Sequence, residues 1–428
     1  MTATTPAQHR SPTAPNGGHN AAAPTQPLPL HGIRIVDLTS VIFGPLASQV
    51  LADYGAEVIK IEAPEGDSTR RTGPAKEDGM SVIFLGVNRN KRSVVLDLKR
   101  PAAREALQCL IAQADVLMHS MRPQKLAALG LDPQALLMKY PRLVYAGLHG
   151  FGEGGPYAGR PAYDDIIQGM AGLPELVQRQ TGDVRYLPTL VADKTSGHVA
   201  AHAILAALLS RERSDRGGFV EIPMFETVVA YTMVEHLYGR HFEPPLTDAA
   251  GNASAGYPRV LTPWRRPWPT LDGHICMMPY TNAHWRRFFV EVGRPQWIDD
   301  PRFCGIAERT ENVAALLEAA GGFVAQRSTA QWLAICDRLQ IPAGPVAALD
   351  GLIDDEQLRA VGFFTELPDA AMGLMRHPGV PVRFDGYRPP IRSNPPRLGE
   401  HTREVLLEAG LTSEQIDIVM QTLKEPTP

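Results

Sequence analysis

Apolar positions alternate with helical stretches from residue 28 onward. Ile33 to Val36 is a short β-branched run. A helical stretch follows from Pro45 to Tyr54 and stops at Gly55, a residue suited to ending a helix. Val58 to Ile61 and Ser93 to Leu96 predict the next strands. Pro101 then opens a helix where its missing N–H is harmless. Ala103, Leu107, Leu110, Ile111 and Ala114 repeat on one face of that helix. Val116 to Met118, Leu143 to Ala146 and Phe219 to Ile222 predict further strands, and Gly197 to Arg211 an Ala-rich helix. Strand, helix, strand at this pitch predicts parallel βαβ units in a doubly wound sheet.

The pattern changes outside this block. Residues 1–27 hold almost no large apolar side chains, so their ordering entropy goes unopposed, and a disordered tail is expected. Near residue 240 prolines crowd together, including Pro244, Pro245, Pro258, Pro263, Pro267 and Pro269. They mark irregular structure. A smaller unit is expected beyond them, carrying Trp264, Trp268, Trp285, Trp297 and Trp332. The resulting division is a tail at 1–27 and a Rossmann-like first part at 28–235. A linker and small α+β domain follow at 236–340, then a return to the large domain with a C-terminal helix at 341–428.

Composition narrows the function. The chain has 428 residues, with 42 Lys+Arg against 46 Asp+Glu, a net charge of −4. That balance argues against a nucleic-acid binder or a polybasic membrane-surface protein. No run approaches the ~18 apolar residues of a membrane span. Cys109, Cys276, Cys304 and Cys336 form no C-x-x-C pair. With no basic-then-apolar leader, they suggest a reducing, cytoplasmic setting.

The chemistry is narrowed first by missing motifs. The first strand runs into Asp37-Leu38-Thr39-Ser40-Val41-Ile42-Phe43-Gly44-Pro45, not G-x-G-x-x-G, and no P-loop occurs, which points away from NAD and ATP. G-x-S-x-G is absent as well. His149-Gly150-Phe151-Gly152-Glu153-Gly154-Gly155-Pro156 follows a strand and reads either as a backbone cradle for a ligand or as a plain loop. Asp193, in Ala192-Asp193-Lys194-Thr195-Ser196-Gly197, precedes the Ala-rich helix. Taken alone it reads as a helix cap; the functional reading is a carboxylate nucleophile for an activated acyl group. An ordinary Asp ionises near ~3.9 and needs no partner base at neutral pH. His198 and His202 have one-face spacing, but surface histidines are the plainer reading, and no metal is expected. Lys91, Arg92, Lys99, Arg100 and Arg122 flank strands where phosphates bind, although each alone also reads as a solvated charge. Arg259, Arg265 and Arg266 suit a substrate carboxylate or an interface.

Taken in order, these segments resemble the class III CoA-transferases, the family of formyl-CoA and carnitine CoA-transferases. The carrying residues are Leu30 to Leu38 with Gly44-Pro45, Gly55 to Glu62, and Asn90-Lys91-Arg92-Ser93 with Leu96 to Lys99. Gly152 to Pro156, Pro161-Ala162-Tyr163-Asp164, Ala192-Asp193 with Gly197, and Leu398-Gly399-Glu400-His401-Thr402 complete the set. The resemblance implies two interlocked chains and Asp193 as the attacking carboxylate. It implies acyl-CoA and small carboxylic acids as substrates and no tightly bound cofactor. Val41, Ile42, Leu96, Lys99, Ser120, Arg122 and Tyr163 match CoA-contacting positions. The Gly150 to Gly155 loop is the candidate oxyanion donor.

Ala63, Ala128 and Leu129 stand where relatives carry basic residues, and Ile42 replaces a polar one. The Gly-rich stretch of formyl-CoA transferases is missing near Tyr257. These departures argue against formyl-CoA or oxalate as substrate. The arginine cluster instead suggests a di- or hydroxy-carboxylic acceptor, with succinyl-CoA as donor. Two alternatives stand beside transfer. One is an α-methylacyl-CoA racemase, disfavoured because Tyr163 occupies its histidine position. The other is a non-catalytic acyl-CoA-binding homologue, disfavoured by Asp193.

Overall fold

A computed structural model describes residues 27–247, 251 and 253–423. The tail expected at 1–27 therefore lies almost wholly outside the described residues. Six strands build the main sheet: β1 (Arg34–Leu38), β2 (Glu57–Glu62), β3 (Lys91–Val95), β4 (Val116–His119), β5 (Val144–His149) and β6 (Gly218–Pro223). Their order is β3-β2-β1-β4-β5-β6. Every neighbouring pair is parallel. All six predicted strands are present, in the doubly wound Rossmann order.

The two-residue period of the strands feeds two cores. Ile35, Val116, Met118, Val144 and Ala146 face the Phe43–Asp53 and Val191–Ser214 helices. Val36, Leu117 and Tyr145 face the opposite layer, with Leu107 and Leu110 of the Pro101–Ile111 helix. That layer also takes Val405 and Leu406 from the Thr402–Glu408 helix and Ile416 and Val419 from Ser413–Thr422. The chain end thus returns to the large sheet, as two helices where one was expected.

Between these parts lies a third core around a three-stranded antiparallel sheet. Its strands are β7 (Trp268–Pro269), β8 (His274–Met277) and β9 (Ala343–Pro345). Trp268, Trp285, Phe288, Phe289 and Trp332 are buried in it. The last strand falls beyond residue 340, so the small sheet draws on chain that the sequence pattern assigned to the large domain. β10 (Phe364–Asp369) and β11 (Gly373–Pro378) add a separate hairpin. Among the described residues no helix is long and apolar enough to cross a membrane.

Candidate active site

Strand order reverses between β1 and β4, so the loops leaving those strands diverge and open a crevice. A cavity of about 250 Å³ sits there. Ser40, Val41 and Phe43 line it after β1, Ser120 to Pro123 after β4, and His149 to Phe151 at and after β5. Leu148, Glu153, Gly159 to Tyr163, Asp193 and Met224 complete the wall.

Asp193 is in the first turn of the Val191–Ser214 helix, not before it, and its side chain caps nothing. It is 7% exposed. Its backbone N–H donates to Asp164 Oδ1 at 2.9 Å, while Asp164 Oδ2 accepts from Gln168 Nε2 at 2.6 Å. Asp164 is itself buried. Two carboxylates therefore share a poorly solvated corner. Burial first, and the charge of Asp164 second, push the Asp193 carboxyl up to about 7. This corrects the expectation of an ordinary carboxylate favoured by the helix terminus. Desolvation and a like charge outweigh the helix dipole, whose effect is typically about 0.3–1 kcal/mol.

Small residues set the position of this turn. A Cβ on Gly197 would lie 2.9 Å from the Phe43 carbonyl oxygen and 3.1 Å from Leu46 Cδ2. Glycine there lets the Val191–Ser214 helix approach the Phe43–Asp53 helix. Asp193 is thereby carried to the crevice floor.

The opposite wall is held by buried charges. Val41 has φ +70°, a left-handed conformation disfavoured for a β-branched residue. Its N–H donates to both Asp67 carboxylate oxygens, at 3.2 and 3.3 Å. Lys60 Nζ contacts Asp67 at 2.9 Å and the Thr39 carbonyl at 2.9 Å. Behind them Lys91 lies 3.6 Å from Asp37, and burial brings its ammonium down to about 7. Arg70 pairs with Glu62 at 2.6 Å. A buried ionic cluster thus enforces the strained turn at the cavity mouth.

Of the eight residues expected at the site, the structure brings five to this cavity: Asp193, Val41, Ser120, Arg122 and Tyr163. Ile42 and Leu96 are core residues, 6% and 1% exposed, and neither lines this cavity, unlike what the sequence led us to expect. Leu96 follows β3, the edge strand, two strands from the reversal, and packs in the outer core. Lys99 is exposed at that same edge, outside the cavity.

The glycine loop is also different from expectation. Gly152 N–H donates to Glu226 Oε1 at 3.0 Å and Glu153 N–H to Glu221 Oε1 at 2.6 Å. These two donors hold carboxylates, so an oxyanion is not their partner. His149, Glu153 and Glu221 form a compact group with ligand atoms within 4.8 Å of one another. His198 and His202 are exposed on the long helix. Arg259, Arg265 and Arg266 do come together, but in a cavity of the small-sheet region that shares no lining residue with the Asp193 cavity.

Sequence reasoning passed over Asp164 and Arg160. Asp164 stood inside the quoted Pro161-Ala162-Tyr163-Asp164 segment without a role. Its partnership with residue 193 is long-range and leaves no local spacing. Arg160, exposed at the cavity wall and stacked 4.6 Å from the Tyr157 ring centroid, immediately precedes that motif.

Comparison with known proteins agrees with this geometry. The family model described as CoA-transferase family III matches residues 30–402. Succinyl-CoA:glutarate CoA-transferase of Mus musculus is 31% identical over 384 residues, covering 89% of this chain and 86% of the relative. Formyl-CoA:oxalate CoA-transferase of Escherichia coli is 28% identical over 410 residues, covering 92% and 98%. The crystal structure of Rv3272 from Mycobacterium tuberculosis superposes with a TM-score of 0.74 at 30% identity, covering 88% of this chain and 98% of that one. A CAIB/BAIF family protein from Brucella suis gives 0.72 at 28% identity, covering 90% and 100%. The fold, the cavity at the strand reversal and the match over most of the chain lead to one conclusion: this protein belongs to CoA-transferase family III.

Proposed function

We propose that the chain moves CoA from an acyl-CoA donor to a small di- or hydroxy-carboxylic acid through covalent intermediates on Asp193. The observation that carries this reading is the Asp193 carboxylate in the switch-point cavity. It lines the crevice, and among the described residues no cation pairs with it. A group pushed up to about 7 is still substantially ionised at neutral pH, and its basicity favours attack on a thioester carbonyl.

The steps balance without metal or redox chemistry. The carboxylate oxygen of Asp193 attacks the acyl carbonyl, the C–S bond breaks, and a mixed anhydride and CoA thiolate result. The thiolate attacks the aspartyl carbonyl and releases the donor acid as its carboxylate. The acceptor carboxylate then attacks the aspartyl thioester, giving a second anhydride and thiolate. Thiolate attack on the acceptor acyl carbon forms the new acyl-CoA and frees Asp193.

Arg122 and Arg160, exposed cations at the cavity wall, suit the CoA phosphates or the distal carboxylate of a dicarboxylic acid. Lys99 at the β3 edge remains a candidate for the nucleotide end of CoA. Succinyl-CoA as donor is supported by the relatives named for succinate and glutarate. An interlocked homodimer is part of the same proposal.

The test is mass spectrometry after incubation with succinyl-CoA and hydroxylamine. A hydroxamate on the peptide holding Asp193, absent from Asp193→Ala, is the expected result. Modification elsewhere, or full turnover by Asp193→Ala, overturns the proposal. Incubating one enantiomer of a 2-methylacyl-CoA in D₂O separates racemisation, since only a racemase places deuterium at the α-carbon.

A further inference from the structure

One cavity of the small-sheet region gathers cations and has no carboxylate among its lining residues. Arg259, Arg265 and Arg266 from the segment before β7, and Arg309 from the Ile306–Glu311 helix, line one cavity of about 40 Å³. Arg259 and Arg309 are 8% and 3% exposed. Elsewhere in the same region arginines find carboxylates: Arg327 and Arg338 share Glu291, at 2.7 and 2.6 Å, and Arg302 pairs with Asp300 at 2.8 Å. None of the four cavity arginines forms an ion pair with a described carboxylate.

Arg259 and Arg265 make only long polar contacts instead, and Arg266 stands 5.2 Å from the Trp264 ring centroid. The Arg259 guanidinium makes one long contact to Thr310 Oγ1, 3.4 Å, and stands 5.4 Å from the Tyr280 ring centroid. Arg265 reaches only the Arg259 carbonyl, at 3.4 Å. Arg309 donates to the Phe303 carbonyl at 2.8 Å and to Asn282, yet its buried Nε has no acceptor among the described residues. The buried indole N–H groups of Trp268 and Trp285, two more cavity residues, likewise have no acceptor among the described residues. Burial, and then the charge of Arg259, hold the Arg309 guanidinium below its usual range.

Two buried like charges with surplus donors are costly in a low-dielectric setting, and a bound anion removes the cost. The volume suits a carboxylate and excludes a nucleotide. Trp268, Met277, Trp285 and Leu316 give the rest of the wall an apolar surface for a short carbon chain. We propose that this cavity binds the carboxylate of a small organic acid, at a site separate from the Asp193 cavity and independent of acyl transfer.

The chain's five tryptophans all lie between 264 and 332, and Trp264, Trp268 and Trp285 line this cavity. Intrinsic fluorescence therefore reports on it directly. Sodium succinate and sodium glutarate are titrated into the full chain without CoA, against sodium chloride at matched ionic strength and against inorganic phosphate. A saturable change with either acid is expected, with affinity falling about tenfold or more in Arg259→Gln and remaining unchanged in Asp193→Asn. Arg266→Gln, at an exposed position, serves as the second variant if Arg259→Gln fails to fold, and a weakened response is expected there too. The proposal is overturned if neither acid gives a saturable change. It is also overturned if the folded arginine variants respond as the parent does, if phosphate alone is effective, or if Asp193→Asn abolishes the signal. The last outcome would assign the response to the catalytic cavity and leave the acyl-transfer reading standing.

Discussion

At the scale of single residues, Asp193 ties reactivity to pH. Its folded pKa of about 7 lies above the unfolded value of 3.8. Below both values the carboxyl is protonated in either state and costs nothing. As pH rises from about 4 to about 7, the unfolded chain has released the proton while the folded one still holds it, so stability falls across that window and levels off above it. Asp193→Asn is therefore expected to raise the melting temperature at about pH 8 and to leave it unchanged near pH 4. Activity has the opposite slope: kcat/KM should rise through a single ionisation near 7 and level off above it. A flat profile from pH 5 to 8 would contradict the assignment. Asp164→Asn removes the second cause of the shift, and the same pH–rate profile should move to lower pH. It also loses the acceptor for Gln168, so a modest drop in melting temperature accompanies it. Asp193 was legible as a candidate because its small neighbours and the order of motifs mark it. Its pKa was not, because desolvation and Asp164 act across 29 positions of sequence.

At the scale of elements, close packing and buried charge position the two walls. Gly197→Ala places a Cβ 2.9 Å from the Phe43 carbonyl, forcing the two helices apart. A loss of about 1–3 kcal/mol in denaturant unfolding is expected, with kcat reduced because the Asp193 turn moves. Lys60→Met strips the partner from Asp67 and leaves Val41 N–H facing an unpaired buried carboxylate. Breaking such a pair costs about 3–5 kcal/mol, readable as a lower urea midpoint. The strands themselves were legible, since apolar runs of four to six residues are bounded by glycine and polar turns. Helix starts were less so. The long helix begins at Val191 rather than Gly197, because its first turn is polar on the cavity side and breaks the apolar rhythm.

At the scale of the whole molecule, the chain end closes the sheet. His401 N–H donates to the Ser93 carbonyl at 2.9 Å, and Val95 N–H donates to Thr402 Oγ1 at 3.1 Å. The Leu398 to Thr402 segment thereby covers the edge of β3, which would otherwise present unpaired backbone groups. Ending the chain before residue 398 should expose that edge together with the apolar face of the Pro101–Ile111 helix, giving aggregation by light scattering. The parallel sheet, the candidate nucleophile and the family were readable from the linear chain, because strand periodicity and an ordered series of motifs are properties of it. Which residues share the cavity came from the three-dimensional packing alone. It withdrew Ile42 and Leu96 into the core, turned two glycine-loop donors toward Glu226 and Glu221, and set the arginine cluster apart. Burial and through-space charge depend on what the fold brings together from distant positions, and no local spacing encodes them.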